Sequence, residues 1–208
     1  MRGDPDERWA GSEPTLGTSP SPAPGPMAAD PGWETRAPAG LIIPTALLDT
    51  VIAHLRAALP NEGVGLLATL PEAADGLVRV VAFFPGTNLD ASSTRYTMDP
   101  REVIVALAEI ERRGWRLGAI AHAHPATPPV PSPTDRREAY YPMALTVIVS
   151  FATAPPTTRA WRMDEVYPIA ADLVIDAAAP GEPVISSEMT PTGTTGAARP
   201  LRQGFGDR

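Results

Sequence analysis

The sequence predicts a mixed α/β domain in which a largely antiparallel sheet is flanked by helices. Two observations carry that expectation. Short runs of β-branched and aromatic residues recur through the middle of the chain, and stripes of apolar residues at helical spacing interrupt them in the order helix, strands, helix, strands. Neither an internal repeat nor a glycine-rich phosphate or dinucleotide motif is present.

Each element has its own justification. Leu41, Ile42 and Ile43 lead into Pro44, which suits the first position of a helix. Leu48, Val51, Ile52, Leu55 and Leu59 then form one apolar stripe, and Pro60-Asn61 stops it. His54 lies about 120° off that stripe and reads as an exposed surface histidine. Residues 64–70 are a short apolar run, 72–76 a turn and 77–84 a strand that Pro85-Gly86 breaks. Residues 95–98 read as a short strand. Asp99, Pro100 and Glu102 are a helix start, with an acid at the N-cap, proline at the first position and glutamate at the third. Val103, Leu107 and Ile110, with Ile104 and Ala108, mark its buried face, and the helix ends near Arg113-Gly114. Strand-like runs follow at 115–123, 145–151, 158–163 and 167–175.

The folded domain therefore spans 41–177 of the 208 residues. Residues 1–40 and 178–208 are dense in Pro, Gly, Ser, Thr and Ala, lack an apolar period and read as disordered tails. Met27 is an alternative start. A formal net charge of −7 argues against general affinity for nucleic acid or anionic membranes. No stretch approaches the roughly 20 apolar residues of a membrane helix. The N-terminus lacks the apolar core of a secretion signal, so a cytoplasmic location is expected. With no cysteine, disulfides are excluded and any metal must be held by His, Asp or Glu.

The chemistry concentrates in AHAHPATPPVPSPTD, residues 121–135. Side chains alternate faces along a strand, so His122 and His124 share one face with Gly118 and Ile120, while Ala121 and Ala123 occupy the packed side. Two imidazoles one pleat apart can reach a single ion at about 2.0–2.1 Å. The prolines at 125, 128, 129, 131 and 133 fix φ and restrict the loop before Asp135, so its return to the histidines costs less entropy. Two neutral imidazoles and one carboxylate leave a divalent ion with net positive charge and an open position, as catalytic zinc has. Ser132 and Asp135, followed by Arg136, Arg137 and Glu138, also read as a capped helix start, and the two readings are compatible.

The string His122-x-His124-Pro125, with Ser132 and Asp135 at their spacing, resembles the JAMM (MPN+) zinc metallopeptidase motif. The upstream glutamate of that family is matched by Glu62 in NEGVGLL, after the first helix and before an apolar strand; alone, Glu62 would read as a surface acid. Residues 96–100, YTMDP, resemble the family's approach to its second helix. The resemblance covers most of 41–177 and implies an MPN/JAB-like fold with cytidine-deaminase-like layering. It implies that His122, His124 and Asp135 bind one Zn2+, that Glu62 relays a proton from the attacking water to the leaving amine, and that Ser132 hydrogen-bonds the oxyanion. Val64 departs from the alanine or cysteine frequent in relatives, a matter of packing. The short domain, without a long insertion, is similar to stand-alone prokaryotic members. Their substrates are ubiquitin-like or sulfur-carrier proteins, cut after the C-terminal Gly-Gly at an isopeptide bond or a cysteine adduct. Two other readings stand beside it: a metal-free MPN-type interaction module, and an iron oxygenase built on a two-histidine, one-carboxylate triad. The sequence leaves oligomeric state and the identity of the carrier open.

Overall fold

The computed structural model describes residues 38–71, 76–164 and 167–178. The two expected tails lie almost wholly outside these residues, as does most of the turn expected at 72–76. Ten elements follow in order: β1 (Gly40–Pro44), α1 (Thr45–Ala57), β2 (Val64–Thr69), β3 (Leu77–Gly86), α2 (Pro100–Arg112), β4 (Arg116–His124), α3 (Pro133–Arg137), β5 (Leu145–Ser150), β6 (Thr157–Arg162) and β7 (Ile169–Asp176).

The mixed α/β class agrees with the expectation, and the sheet adds a feature that periodicity does not reveal. The strands run β1-β3-β2-β4-β5-β6-β7, and β1 pairs with β7 to close a barrel. The β2–β3, β2–β4, β5–β6 and β6–β7 pairs are antiparallel, whereas β1–β3, β1–β7 and β4–β5 are parallel. A parallel β4–β5 pair needs a crossover, and the proline-rich loop with α3 supplies it. Closure pairs the outermost strands with each other, which removes exposed edges.

Two apolar clusters lie on the two sides of the central strands. Leu47, Leu48, Val51 and Leu55 of α1 pack with Leu67, Phe83, Ala119, Ala121 and Ala123. Val64, Leu66, Phe84 and Ile120 pack with Ala106 and Ile110 of α2. The central β2 and β5 are buried along their whole length, which suits their mainly apolar runs, with Thr69, Thr146 and Ser150 as the buried polar residues.

Several local expectations are corrected. His54 is not an exposed histidine: it is half-buried, its Nε2 lies 3.0 Å from Val64 O and 3.3 Å from Gly86 O, and its ring meets Phe83 edge-on. The reason is that β2 and β3 pack along the flank of α1, which a helical wheel alone leaves facing water. Ile104 and Ala108 are exposed, Ile104 by 68%, because α2 turns only its Ala106 and Ile110 flank fully onto the sheet. Residues 95–98 form no strand beyond an isolated Asn88–Met98 bridge. Asp99 does cap α2, its Oδ1 accepting from Arg101 N at 2.8 Å. Glu102, however, reaches Thr87, accepting from its N and Oγ1 at 2.7 and 2.9 Å. No helix among the described residues is long and apolar enough to cross a membrane.

Candidate active site

Strand alternation delivers the histidines as expected. Ala119, Ala121 and Ala123 point into the α1 core, so His122 and His124 share the opposite face, buried at 0% and 3% exposure. Their Nε2 atoms stand 3.3 Å apart.

The β2–β4 register brings up the glutamate. Val64 pairs with His122, and Ala123 N donates to Gly63 O at 3.0 Å, carrying the ladder one step beyond the strand. Glu62 therefore falls beside His124. Gly63 makes this turn feasible, since a Cβ there would lie 2.8 Å from Leu55 Cα. The backbone of Glu62 is fastened at both ends: its N–H donates to Ser92 O at 2.7 Å, and its carbonyl accepts from Asn88 Nδ2 at 2.9 Å. The residue is only 3% exposed, and its Oε2 has no hydrogen-bond partner among the described residues.

The proline loop returns Asp135 to the same place. Three successive carbonyls are pinned: Thr127 O accepts from Ser150 Oγ at 2.6 Å, Pro128 O lies 2.8 Å from His124 Nδ1, and Pro129 O accepts from Trp161 Nε1 at 2.9 Å. Ser132 then caps α3, and both readings of this segment hold together. Ser132 Oγ accepts from Asp135 N at 3.1 Å while Asp135 Oδ2 accepts from Ser132 N at 2.6 Å, a complete capping box. From that position Asp135 Oδ1 stands 3.5 Å from His122 Nε2, and Oδ2 stands 3.4 Å from His124 Nε2.

The structure thus gathers four of the five predicted residues in one buried place and sets Ser132 directly beside Asp135. His122, His124 and Asp135 offer ligand atoms within 4.8 Å of one another. Their chemistry fits a divalent cation: burial holds His122 below the usual imidazole range and so favours the neutral imidazole that a metal needs. Burial opposes the charged form of His124 as well, but Asp135 and the Pro128 carbonyl outweigh it and raise that group. Burial likewise works against ionised Asp135, and its hydrogen bonds to both histidines and Ser132 hold it well below the carboxylate range. Glu62 goes the other way: burial pushes it up to about 7, with Asp135 adding and His124 opposing.

A groove of about 570 Å³ opens onto Asp135, lined by Tyr96, Met98, Val103, Ile104 and Thr134 among others. A larger one, of about 630 Å³, lies by Leu70, Trp115 and Met143 toward the opposite end of β4 and holds none of the predicted site residues.

Sequence reasoning missed the supports of the site. Tyr96 packs its ring 4.8 Å from that of His122. Asn88 ties Glu62 O, Arg95 O and Thr97 N together at 2.9–3.1 Å. Ser150 and Trp161 hold the proline loop from β5 and β6. Asn88 stands in an ordinary turn composition, and Ser150 and Trp161 read as strand residues, so no local signal marked them.

Comparison with known proteins identifies the family. Residues 44–164 match the model of prokaryotic homologs of the JAB domain. The chain is 41% identical over 100 residues to a Thermus thermophilus protein named as a probable TtuB-protein conjugate cleaving protease, covering 48% of this chain and 63% of that one. It is 33% identical over 122 residues to the desampylase of Haloferax volcanii, covering 56% and 84%. It is 36% identical over 110 residues to the CysO-cysteine peptidase of Mycobacterium tuberculosis, covering 53% and 73%. A solution structure from Desulfitobacterium hafniense superimposes with a TM-score of 0.60 at 30% identity, covering 66% of this chain and 93% of that one. The stretch matched by the family model is more than half of the chain and contains all five predicted residues, so the chain belongs to the family of prokaryotic homologs of the JAB domain.

Proposed function

We propose that the protein is a zinc-dependent peptidase or isopeptidase that hydrolyses the bond after the C-terminal Gly-Gly of a ubiquitin-like or sulfur-carrier protein. The observation that carries this reading is the pairing of a buried His122–His124–Asp135 triad with an adjacent carboxylate, Glu62, that has an unpartnered oxygen. His122 Nε2, His124 Nε2 and Asp135 would hold the ion. The chemistry a bound zinc supplies is polarisation of the scissile carbonyl and acidification of water toward a pKa of about 7.

The protein's own groups do the rest. Glu62 would serve as the general base: burial pushes it up to about 7 in the metal-free protein and a bound cation would favour its carboxylate form, which takes a proton from the attacking water and hands it to the leaving amine. Ser132 Oγ accepts from Asp135 N, which leaves its O–H to donate to the oxyanion. The pinned carbonyls of the proline loop hold Ser132 and Asp135 in register with the histidines. The groove at Tyr96 and Met98 is apolar enough to take an extended, side-chain-poor tail and to exclude water around it.

The substrate class is supported by the relatives, which are named as a probable TtuB-protein conjugate cleaving protease, a desampylase and a CysO-cysteine peptidase. An interaction module would have no use for Glu62 held buried beside the triad, and an iron oxygenase would assign no role to Glu62 or Ser132. The hydrolase unit is the domain 41–177, and a cytoplasmic location belongs to the same proposal. The test is incubation of purified full-length protein with carrier–lysine and carrier–cysteine conjugates, followed by mass spectrometry. Release of the carrier ending in Gly-Gly, abolished by a chelator and restored by zinc, is the expected result. No cleavage of either conjugate by zinc-loaded protein would overturn the reading.

A further inference from the structure

The two histidines are held in different ways. His124 has its second ring nitrogen engaged: Nδ1 lies 2.8 Å from Pro128 O and 3.1 Å from Thr127 Oγ1. Metal-bound histidines ordinarily fix ring orientation and tautomer through such a bond. His122 is fully buried, and its Nδ1 has no hydrogen-bond partner among the described residues. The polar neighbours of its ring, His124 Nε2 at 3.3 Å and Asp135 Oδ1 at 3.5 Å, all lie on the Nε2 side, so no bond at Nδ1 fixes its rotation about the Cβ–Cγ bond, a torsion that is intrinsically broad.

Tyr96 is the ring that packs on it. Its ring centroid lies 4.8 Å from that of His122 with the planes inclined by 33°, a tilted ring contact within aromatic packing distance. The segment bearing it is anchored although it forms no strand. Asn88 Nδ2 donates to Arg95 O at 3.1 Å, Thr97 N donates to Asn88 Oδ1 at 3.1 Å, and Leu89 N donates to Thr97 O at 2.8 Å. The same Asn88 Nδ2 donates to the carbonyl of Glu62. One side chain therefore sets the spacing between the Glu62 backbone and the Tyr96 wall.

We propose that Tyr96 is a positioning residue that holds the His122 imidazole in its metal-binding orientation by ring packing, in place of the second-nitrogen hydrogen bond that holds His124. The inference rests on the reading of His122, His124 and Asp135 as a metal site. It assigns the work to the planar ring and none to the hydroxyl.

The test is zinc affinity of the full-length protein, measured by competition with a chromophoric chelator for wild type, Tyr96→Phe and Tyr96→Met. Tyr96→Phe keeps the ring and should bind zinc within about twofold of wild type. Tyr96→Met fills a similar volume without a planar face and should lose about tenfold or more, the low end of what loss of an outer support costs a metal site. Equal affinity in Tyr96→Met overturns the proposal, and so does an equal loss in both variants, which would assign the role to the hydroxyl. A wild type that binds no zinc defeats the metal reading itself and is distinguished in the same titration. A second measurement follows one ring across variants: in metal-free protein the ring protons of His122 should move downfield from wild type to Tyr96→Met as the Tyr96 ring current is removed and stay in place in Tyr96→Phe. Unchanged His122 shifts in Tyr96→Met also overturn it.

Discussion

Two buried carboxylates face the same small space and are driven in opposite directions. Asp135 arrives on the first turn of α3 and is met by two imidazoles and the Ser132 N–H, which together hold it ionised despite burial. Glu62 arrives at the entrance of β2 with one oxygen unpartnered, and burial pushes it up to about 7. Residue type does not distinguish the two acids; their partners do. A group that must stay charged to hold a cation is surrounded by donors, and a group that must exchange protons is denied them. The difference makes the roles separable by experiment.

The largest effect should come from the satisfied acid. Asp135→Asn keeps the shape but removes the charge and one ligand, so stoichiometric zinc and more than about 10⁴-fold of the activity should vanish together. Metal analysis and kcat/KM on the same preparation check this. An Asp135→Asn protein that keeps its zinc would break the assignment.

Glu62→Gln should separate the two properties. Zinc stays bound, while kcat falls by about 10²–10⁴-fold, the range for loss of a general base. A base must be ionised to act, so wild-type activity should fall tenfold per pH unit on the acid side of the Glu62 pKa. That pKa is about 7 in the metal-free protein, and a bound cation favours the carboxylate and moves the limb lower. The same acid limb persisting in Glu62→Gln would show that another group titrates.

Ser132 tests the hinge between the two acids, because it both caps α3 and offers a donor to the site. Ser132→Ala should cost about 10²–10³-fold in kcat through the lost oxyanion donor and about 1 kcal/mol of stability through the lost cap. Kinetics and denaturant titration read the two losses separately. Loss of stability alone would reduce Ser132 to a cap.

How much of this was legible in the sequence follows from the range of the interactions. Strand alternation placed His122 and His124 on one face, and capping chemistry placed Ser132 and Asp135 in one turn, because both rules act within a few residues. Glu62 is 60 and 62 residues away from His122 and His124 in the chain, and only the β2–β4 register makes it their neighbour; a family resemblance could supply it, periodicity could not. Closure of the sheet was hidden for the same reason, since β1 pairs with β7 across most of the domain. His54 and Ile104 were misread because a helical wheel shows which residues share a face and not what packs along the flank.

The smallest effect is also the one that tests the comparison without any chemistry. Glu62 has a folded-state pKa of about 7 against 4.5 in an unconstrained chain. The folded protein therefore binds the Glu62 proton more tightly than the unfolded one, and ionising this group opposes folding. The penalty is absent below about pH 4.5, where both states are protonated, grows as pH rises between the two values, and is complete above about pH 7. Metal-free Glu62→Gln, which cannot ionise, should accordingly be more stable than metal-free wild type at pH 8, by about 1–3 kcal/mol. It should be nearly equal to wild type at pH 4. Asp135 predicts the reverse: its depressed pKa contributes stability above the unfolded value, so metal-free Asp135→Asn should lose stability at pH 8. Urea denaturation of the two variants at pH 8 is the measurement. Opposite signs are the expected result, and a loss in both would mean that Glu62 is held by partners in solution as firmly as Asp135 is.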